Sequence, residues 1–204
     1  MDWSKAAWWV SGVVVALGLG AVVVRASFAG KYEEPVYTVV DRTKAFEVRD
    51  YGARLLAEVT LSESRDAGAN NGFRILAAYI FSSDTPEGSP IGMTVPVGQY
   101  ETEGEWRMWF AMPSRYTSDN LPPPNDPRIR ILERGPERLA VRSMSGRMDK
   151  ADFSEEAEQL EADVRAAGLL PTGPATLAVY NGPLTPGPFR RNEVLLPIER
   201  SASP

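Results

Sequence analysis

Apolar and polar residues alternate along two neighbouring stretches in the first half of the chain, as expected for half-buried strands. Residues 46–50 alternate and stop at Tyr51-Gly52, which is a turn signal. Residues 54–61 are predicted to run back beside them as their hairpin partner. The period then changes from two to about 3.6 residues. We therefore predict a helix over residues 65–81, with a buried face made of Phe73, Leu76, Ala77 and Ile80.

The second half of the chain carries the same order of patterns. Residues 152–155 supply capping chemistry, and Gly168 is typical of a helix end. Between them an apolar stripe at helical spacing predicts a second helix, and its members are Phe153, Ala157, Leu160 and Val164. Further strands are predicted over residues 93–100, 106–112, 175–180 and 193–198.

These parallels reflect an internal repeat. Residues 46–113 aligned with residues 130–197, at a constant offset of 84, share ten identities without a gap, against about four expected from composition. Two copies of one unit must pack on each other. The fold class predicted is α+β, with a pseudo-twofold repeat of two βαββ-type halves, residues 37–113 and 129–198, in a mostly antiparallel sheet. The proline-rich residues 113–127 join the halves.

The amino-terminal region has a different pattern. Residues 6–24 contain one polar side chain, Ser11, and as a helix they would be about 28 Å long, close to the thickness of a bilayer core. We predict that residues 1–31 form a single membrane anchor with its linker and that residues 32–204 form the domain, outside the cytoplasm. A cleaved signal peptide is the alternative, because Ser27 and Ala29 offer small residues before Gly30.

Composition narrows the chemistry. The chain has 204 residues, a net charge of −5, no histidine and no cysteine. Zinc sites, disulfides, Ser-His-Asp triads and Cys-His dyads are therefore excluded. The acidic charge argues against nucleic acid as a partner. We expect a binding protein and not an enzyme.

Three strings identify a family resemblance: residues 91–97 (IGMTVPV), residues 110–117 together with 121–128 (FAMPSRYT and LPPPNDPR), and residues 189–194 (FRRNEV). In this order they resemble the SOUL family of haem-binding proteins, over residues 37–198. The resemblance implies a distorted barrel with two flanking helices and a haem or other tetrapyrrole bound in an apolar groove beside the first helix. Gyrase-inhibitor-like and effector-binding domains are similar, and they bind hydrophobic ligands between the halves.

The resemblance places the tetrapyrrole site on the first helix and on one later loop, at Asn71, Arg74, Ala78, Tyr79, Thr185 and Pro186. Arg74 is the expected partner of a haem propionate. Without histidine or cysteine the porphyrin would be held by packing, so metal-free porphyrin should compete with haem. The alternatives are that Arg74 is an ordinary solvated residue and that Tyr79 covers the edge of the core.

A second pocket is the alternative site. At the offset of 84, Glu193 aligns with Trp109, and a buried carboxylate facing an aromatic ring would select a cationic or NH-bearing ligand. Arg191 belongs to the same string. The alternative for Glu193 is a salt bridge to Arg190, Arg191 or Arg107 that fixes the strand ends.

Overall fold

The computed structural model describes residues 23–25, 32–61, 64–82 and 90–200. Within these residues the chain forms ten strands, two α-helices and one 3-10 turn. Their order is β1 (Val23–Arg25), β2 (Tyr37–Arg42), β3 (Glu47–Tyr51), β4 (Arg54–Thr60), α1 (Arg65–Phe81), β5 (Val97–Thr102), β6 (Glu105–Ala111), β7 (Arg130–Arg134), β8 (Glu137–Met144), α2 (Lys150–Ala166), β9 (Thr176–Val179), a 3-10 turn (Gly187–Phe189) and β10 (Asn192–Ile198).

The strands form one curled half-barrel sheet in the order β1-β2-β3-β8-β10-β9-β5-β6-β4-β7, and every strand pair described is antiparallel. From β3 to β7 the order is symmetric about the β9-β5 contact. This symmetry exchanges β3 with β7, β8 with β4, β10 with β6 and β9 with β5. The α+β class and the antiparallel sheet are confirmed, and the two-fold arrangement is the one that the repeat predicts.

The predicted hairpin of residues 46–50 and 54–61 is wrong. β3 does not pair with β4 but with β8 of the other half, while β4 pairs with β7. The halves therefore exchange their first strands. In each half only two residues join the first two strands, β3 to β4 and β7 to β8. The joined strands are nevertheless not neighbours in the sheet order, so neither connection forms a hairpin.

The constant offset of 84 also needs correction. The connections Gly52-Ala53 and Gly135-Pro136 are equivalent, which matches Arg54 with Glu137, one residue closer than the offset. At the offset of 84, Leu55 falls on Leu139, yet these two leucines belong to cores on opposite faces of the sheet. A shift of one residue turns a strand side chain to the other face.

The strand pairing also shows which residues of β6 and β10 are equivalent. Leu56 lies opposite Ala111, and its equivalent Leu139 lies opposite Pro197. Trp109 is therefore equivalent to Leu195, and Glu193 is equivalent to Arg107. The predicted alignment of Glu193 with Trp109 is wrong in this respect, although both side chains are on the same face.

Both helices pack on one face of the sheet, the helix face. α1 is Arg65–Phe81, with the predicted boundaries, and its Leu76 and Ile80 join a core with Phe153, Leu160 and Val164 of α2. The prediction for Phe73 is wrong: it lies at the margin of the buried face, 40% exposed, with its ring edge on Phe110 at 5.4 Å. Gly72 takes the central buried position because a Cβ there would approach Leu61 Cδ2 to 2.4 Å.

α2 is confirmed with its end, but it begins at Lys150, before the predicted capping residues 152–155. Asp149 is the N-cap, and it exchanges hydrogen bonds with Asp152 in a capping box. Gly168 follows the helix with a φ of +77°, a left-handed conformation that glycine adopts readily.

The predicted membrane anchor lies outside the described residues, apart from Val23 and Val24, which belong to β1. β1 pairs with β2, so these two residues extend the sheet. In the part of the chain that the structure describes, no helix has the length and hydropathy to cross a bilayer.

Candidate functional site

The outer face of α1 carries three of the predicted tetrapyrrole residues. Asn71, Arg74 and Ala78 are all exposed and lie on successive turns of the helix. Helical geometry places Arg74 between Phe81 and Ala78 on this face, and Phe81 is 54% exposed. Phe73, 40% exposed, lies at the margin of the face with its ring packed on Phe110. The structure therefore places one exposed aromatic ring beside the cation and a second at the margin.

Arg74 has no ion-pair or hydrogen-bond partner among the described residues. Its guanidinium is not committed to a neighbouring carboxylate there. An exposed arginine between apolar side chains can donate two parallel hydrogen bonds to an external carboxylate.

Tyr79 lies on the other side of α1, against the core. Its side chain is buried, and its hydroxyl donates a hydrogen bond of 2.6 Å to the carbonyl of Pro122. Burial, with a smaller contribution from Tyr116, raises the pKa of Tyr79 to about 12. Tyr79 thus attaches α1 to the proline-rich linker and lies beneath the exposed face, as its alternative interpretation has it.

Thr185 and Pro186 lie in the connection between β9 and β10. Arg190 Nε donates a hydrogen bond of 2.8 Å to the Thr185 carbonyl, and Gly146 N–H donates one of 3.0 Å to the Gly187 carbonyl. These bonds hold the connection against the end of β8. None of its described hydrogen bonds reaches α1. Two large apolar side chains of this connection face solvent, Leu184 (96% exposed) and Phe189 (77% exposed).

Exposed apolar surface is concentrated on these two elements. Of the eight large hydrophobic side chains that are exposed in the described residues, two belong to α1 and two to the β9-β10 connection. No sequence motif marks Phe73, Phe81, Leu184 or Phe189 as binding residues. Their apolar character was readable, but their exposure was not.

Glu193 lies on the opposite face of the sheet, the open face, and is 1% exposed. Arg49 of β3 donates two hydrogen bonds to its carboxylate, of 3.0 and 3.2 Å. Tyr180 and Ser143 donate through their hydroxyls, at 2.7 and 3.1 Å. Arg191 adds an ion pair at 3.1 Å. Both carboxylate oxygens are therefore already occupied by protein donors.

The predicted salt bridge of Glu193 thus involves Arg191, one of the three arginines considered. Its main partner, Arg49, was missed because the two residues are 144 positions apart and meet only through the exchange of first strands. Arg191 also pairs with Glu34 at 2.9 Å. Arg49 also pairs with Glu47 at 2.8 Å, so this cluster contains two arginines and three glutamates.

The electrostatics of the cluster follow from its burial. Burial alone would raise the pKa of Glu193, but attraction to Arg49 and Arg191 and the hydrogen bonds from Arg49 and Tyr180 outweigh it and hold the pKa below its ordinary value. Burial and the adjacent Glu193 raise the pKa of Tyr180 well above its ordinary value. Glu193 is ionised and Tyr180 is a neutral donor at pH 7.

A cavity of about 310 Å³ opens on the same face, where the two halves meet. Trp109 and its equivalent Leu195 both line it. The Trp109 indole lies so close above Gly98 that a Cβ there would come within 1.9 Å of the ring. Of the predicted second pocket, Trp109 lines the cavity, whereas Glu193 and Arg191 do not.

The family model described as SOUL heme-binding protein matches residues 32–197, which is nearly the whole described domain. The chain belongs to the SOUL family. The family-level ligand is therefore haem or a related tetrapyrrole. No curated protein matches the chain.

Solved structures share the SOUL domain's fold at low identity. An uncharacterized conserved protein from Listeria innocua is 13% identical, with a TM-score of 0.56, over 77% of this chain and 93% of its own. A hydrolase from Listeria innocua is 11% identical, with a TM-score of 0.53, over 78% and 94%. The EcmrR C-terminal domain is 11% identical, with a TM-score of 0.55, over 75% and 96%. These likenesses show the fold.

The residues of this SOUL domain fit a tetrapyrrole on α1. A macrocycle needs a flat apolar surface, and its propionates need cationic or hydroxyl donors. Phe81 supplies exposed apolar surface, with Phe73 at its margin, and Arg74 supplies the cation. Histidine and cysteine, the commonest axial ligands with nitrogen or sulfur donors, are absent from the chain.

Proposed function

We propose that this SOUL domain binds haem or another tetrapyrrole on the outer face of α1 and the β9-β10 connection, without a histidine ligand to the metal. The supporting observation is that Phe73, Phe81, Leu184 and Phe189 are exposed apolar side chains on these two elements. In this proposal they form one apolar surface, the kind of surface that binds a ligand.

Arg74 orients the ligand in this proposal. Its guanidinium forms charge-assisted hydrogen bonds with a propionate, while Ala78 leaves room for the ring edge beside the helix. Asn71, one turn earlier, offers an amide to the same end of the ligand. Thr185 and Pro186 border the ligand from the connection. The contact is made by the porphyrin face and the propionates, so the metal contributes little to affinity.

The role is carriage, buffering or sensing of the tetrapyrrole, and not catalysis. The buried acid of the open face, Glu193, is ionised and fully hydrogen-bonded, so it is poorly suited to act as a general base. Because protein donors already occupy both carboxylate oxygens of Glu193, the alternative function, in which Glu193 binds a cationic ligand, is disfavoured. A cation would have to displace Arg49 from a buried pair.

Membrane tethering completes the proposal. Residues 6–22, which precede β1, would form a helix of about 25 Å, within the range of spanning segments. The tethered domain would then lie outside the cytoplasm. Retention of the full chain in membranes washed with alkaline carbonate is the expected result, and its release by the wash would reject a spanning anchor.

An absorbance titration tests the binding proposal. The full chain in detergent is titrated with hemin and with metal-free protoporphyrin IX, and each should give a saturable Soret change at micromolar concentration. Arg74→Glu should weaken both by about tenfold or more, because a charge-assisted hydrogen bond is lost and a repulsion is added. Loss of one such bond should act on both ligands because both carry propionates.

Arg130→Glu is the matched control for Arg74→Glu. Arg130 is exposed on β7 and has no ion-pair partner in the described part of the chain, so the charge change is the same at a distant place. It should leave both titrations unchanged. Equal weakening by the two variants, or no saturable Soret change up to the solubility of hemin, would reject the site.

A further inference from the structure

The cavity between the halves has a composition of its own. Its floor is apolar and formed by buried side chains that include Leu56, Trp109, Leu139 and Leu195. Its charged lining residues are Arg54, Arg134 and Glu137, two cations and one anion. At about 310 Å³ it is at the lower end of the volumes that hold small ligands, so its occupant is smaller than a drug-sized molecule.

The two arginines stand side by side. Arg54 on β4 and Arg134 on β7 are directly opposite each other in the strand register. Like charges in this position repel each other, so an anion between them is stabilising. Arg54 forms an ion pair with Glu137, but its Nε is buried without a hydrogen-bond partner in the structure. Arg134 has no ion pair or hydrogen bond among the described residues.

The rest of the open face does not supply a compensating negative charge. Glu193 and Glu34 are balanced by Arg49 and Arg191. Glu58, buried beneath Tyr100, accepts a hydrogen bond of 2.7 Å from the tyrosine hydroxyl and pairs with Arg107 at 3.5 Å. Glu34, Glu58 and Glu193 thus each have an arginine partner within the protein, and the cavity lining itself carries two cations and one anion.

We infer that this cavity binds a small planar aromatic carboxylate, with the ring against Trp109 and Leu195 and the carboxylate on the Arg134 guanidinium, beside Arg54. An apolar floor with a cationic rim selects an amphipathic anion. Arginine suits this role because its planar fork matches a carboxylate. This charge preference is opposite to that of a pocket built on an available Glu193. The site is separate from the tetrapyrrole surface, which is on the helix face.

Three probes with one skeleton test the charge preference. 2-Naphthoate, neutral 2-naphthamide and cationic 2-naphthylmethylammonium are titrated into the full chain in detergent by calorimetry, with the detergent blank subtracted. 2-Naphthoate should bind at least about tenfold more tightly than either of the others, since each charge-assisted bond is worth a factor of that size. Equal or tighter binding of the ammonium probe, or no saturable binding of 2-naphthoate, overturns the inference.

Two arginine variants locate the site. Arg134→Gln should weaken 2-naphthoate by about tenfold and leave 2-naphthamide unchanged. Arg130→Gln is the matched control, because Arg130 lies on the same strand and face but outside the cavity lining, and it should change neither. Equal effects of the two variants on 2-naphthoate overturn the assignment.

Glu137→Gln should change the affinity for 2-naphthoate in the opposite direction. It removes the one carboxylate of the lining and releases Arg54, so 2-naphthoate should bind more tightly, whereas a merely misfolded protein would bind more weakly. Weaker binding with an unchanged circular dichroism spectrum overturns the role of Arg54. Hemin affinity should be the same in Arg134→Gln, Arg130→Gln and Glu137→Gln. A negative result with the naphthalene probes therefore leaves the tetrapyrrole proposal standing.

Discussion

Glu193 lies where β8, β9 and β10 meet and is the most heavily hydrogen-bonded carboxylate described on the open face. A buried carboxylate is stable only when its partners replace the water that it has lost. Here Arg49 comes from β3 in the other half of the chain, Ser143 comes from β8, and Tyr180 directly follows β9. The hydrogen bonds of Glu193 therefore form only when β3, β8, β9 and β10 are assembled correctly.

We expect Glu193→Gln to lower the free energy of unfolding by about 3 kcal/mol, because it removes the buried counter-charge of Arg49 and leaves only the ion pair with the partly exposed Glu47. Urea denaturation at pH 7 measures the effect. Glu161→Gln is the control, since Glu161 forms an exposed ion pair with Arg165 one turn along α2, and it should cost about 0.5 kcal/mol or less. A similar decrease in the free energy of unfolding in the two variants would show that the buried ion pair stabilises the protein no more than the exposed one.

The same variant has a signature in pH. The pKa of Glu193 is lowered by folding, so its contribution to stability is present above its ordinary value of 4.5 and is lost as the pH falls through the folded value. The stability difference between the native chain and Glu193→Gln should therefore be constant near neutrality and should shrink in acid. A difference that grows below pH 4.5 would contradict the direction of this shift.

At the scale of elements, helices and strands were predictable to different degrees. α1 and α2 could be located from spacing and caps because a helix is closed by contacts within four residues. Strand positions were found within a few residues, although β5 begins at Val97, after Pro96, and not at residue 93. Strand partners could not be found, since a period of two shows which side chains share a face and not which strand lies alongside.

At the scale of the whole molecule, the two halves are interlocked. β3 pairs with β8, β4 with β7, and β5 with β9, so each half completes the sheet of the other. The two faces of this joint sheet differ in use. The helix face carries the proposed tetrapyrrole surface on α1, and the open face carries the cavity that both halves line.

Separated halves should not fold alone. Fragments 1–124 and 125–204, divided in the proline-rich linker, should each lack a cooperative thermal transition in circular dichroism. Expressed together they should form a heterodimer with one transition. A second fragment carrying Val141→Pro is the control, because proline in the central strand β8 removes a backbone donor and should prevent assembly. Cooperative unfolding of either fragment alone would contradict the interlocked sheet.

The sequence by itself determined the helices, the two-fold repeat, the α+β class and the absence of histidine and cysteine ligands, because these depend on residue type and local spacing. Through the family resemblance it also pointed to α1 as the element on which we propose that the tetrapyrrole binds. Tertiary structure alone decided that β3 and β7 exchange halves, that Arg49 neutralises Glu193, that Phe73 and Phe189 are exposed, and that Arg54 and Arg134 share a cavity. The physical reason is that burial and charge pairing are set by residues far apart in the chain, which local periodicity does not record.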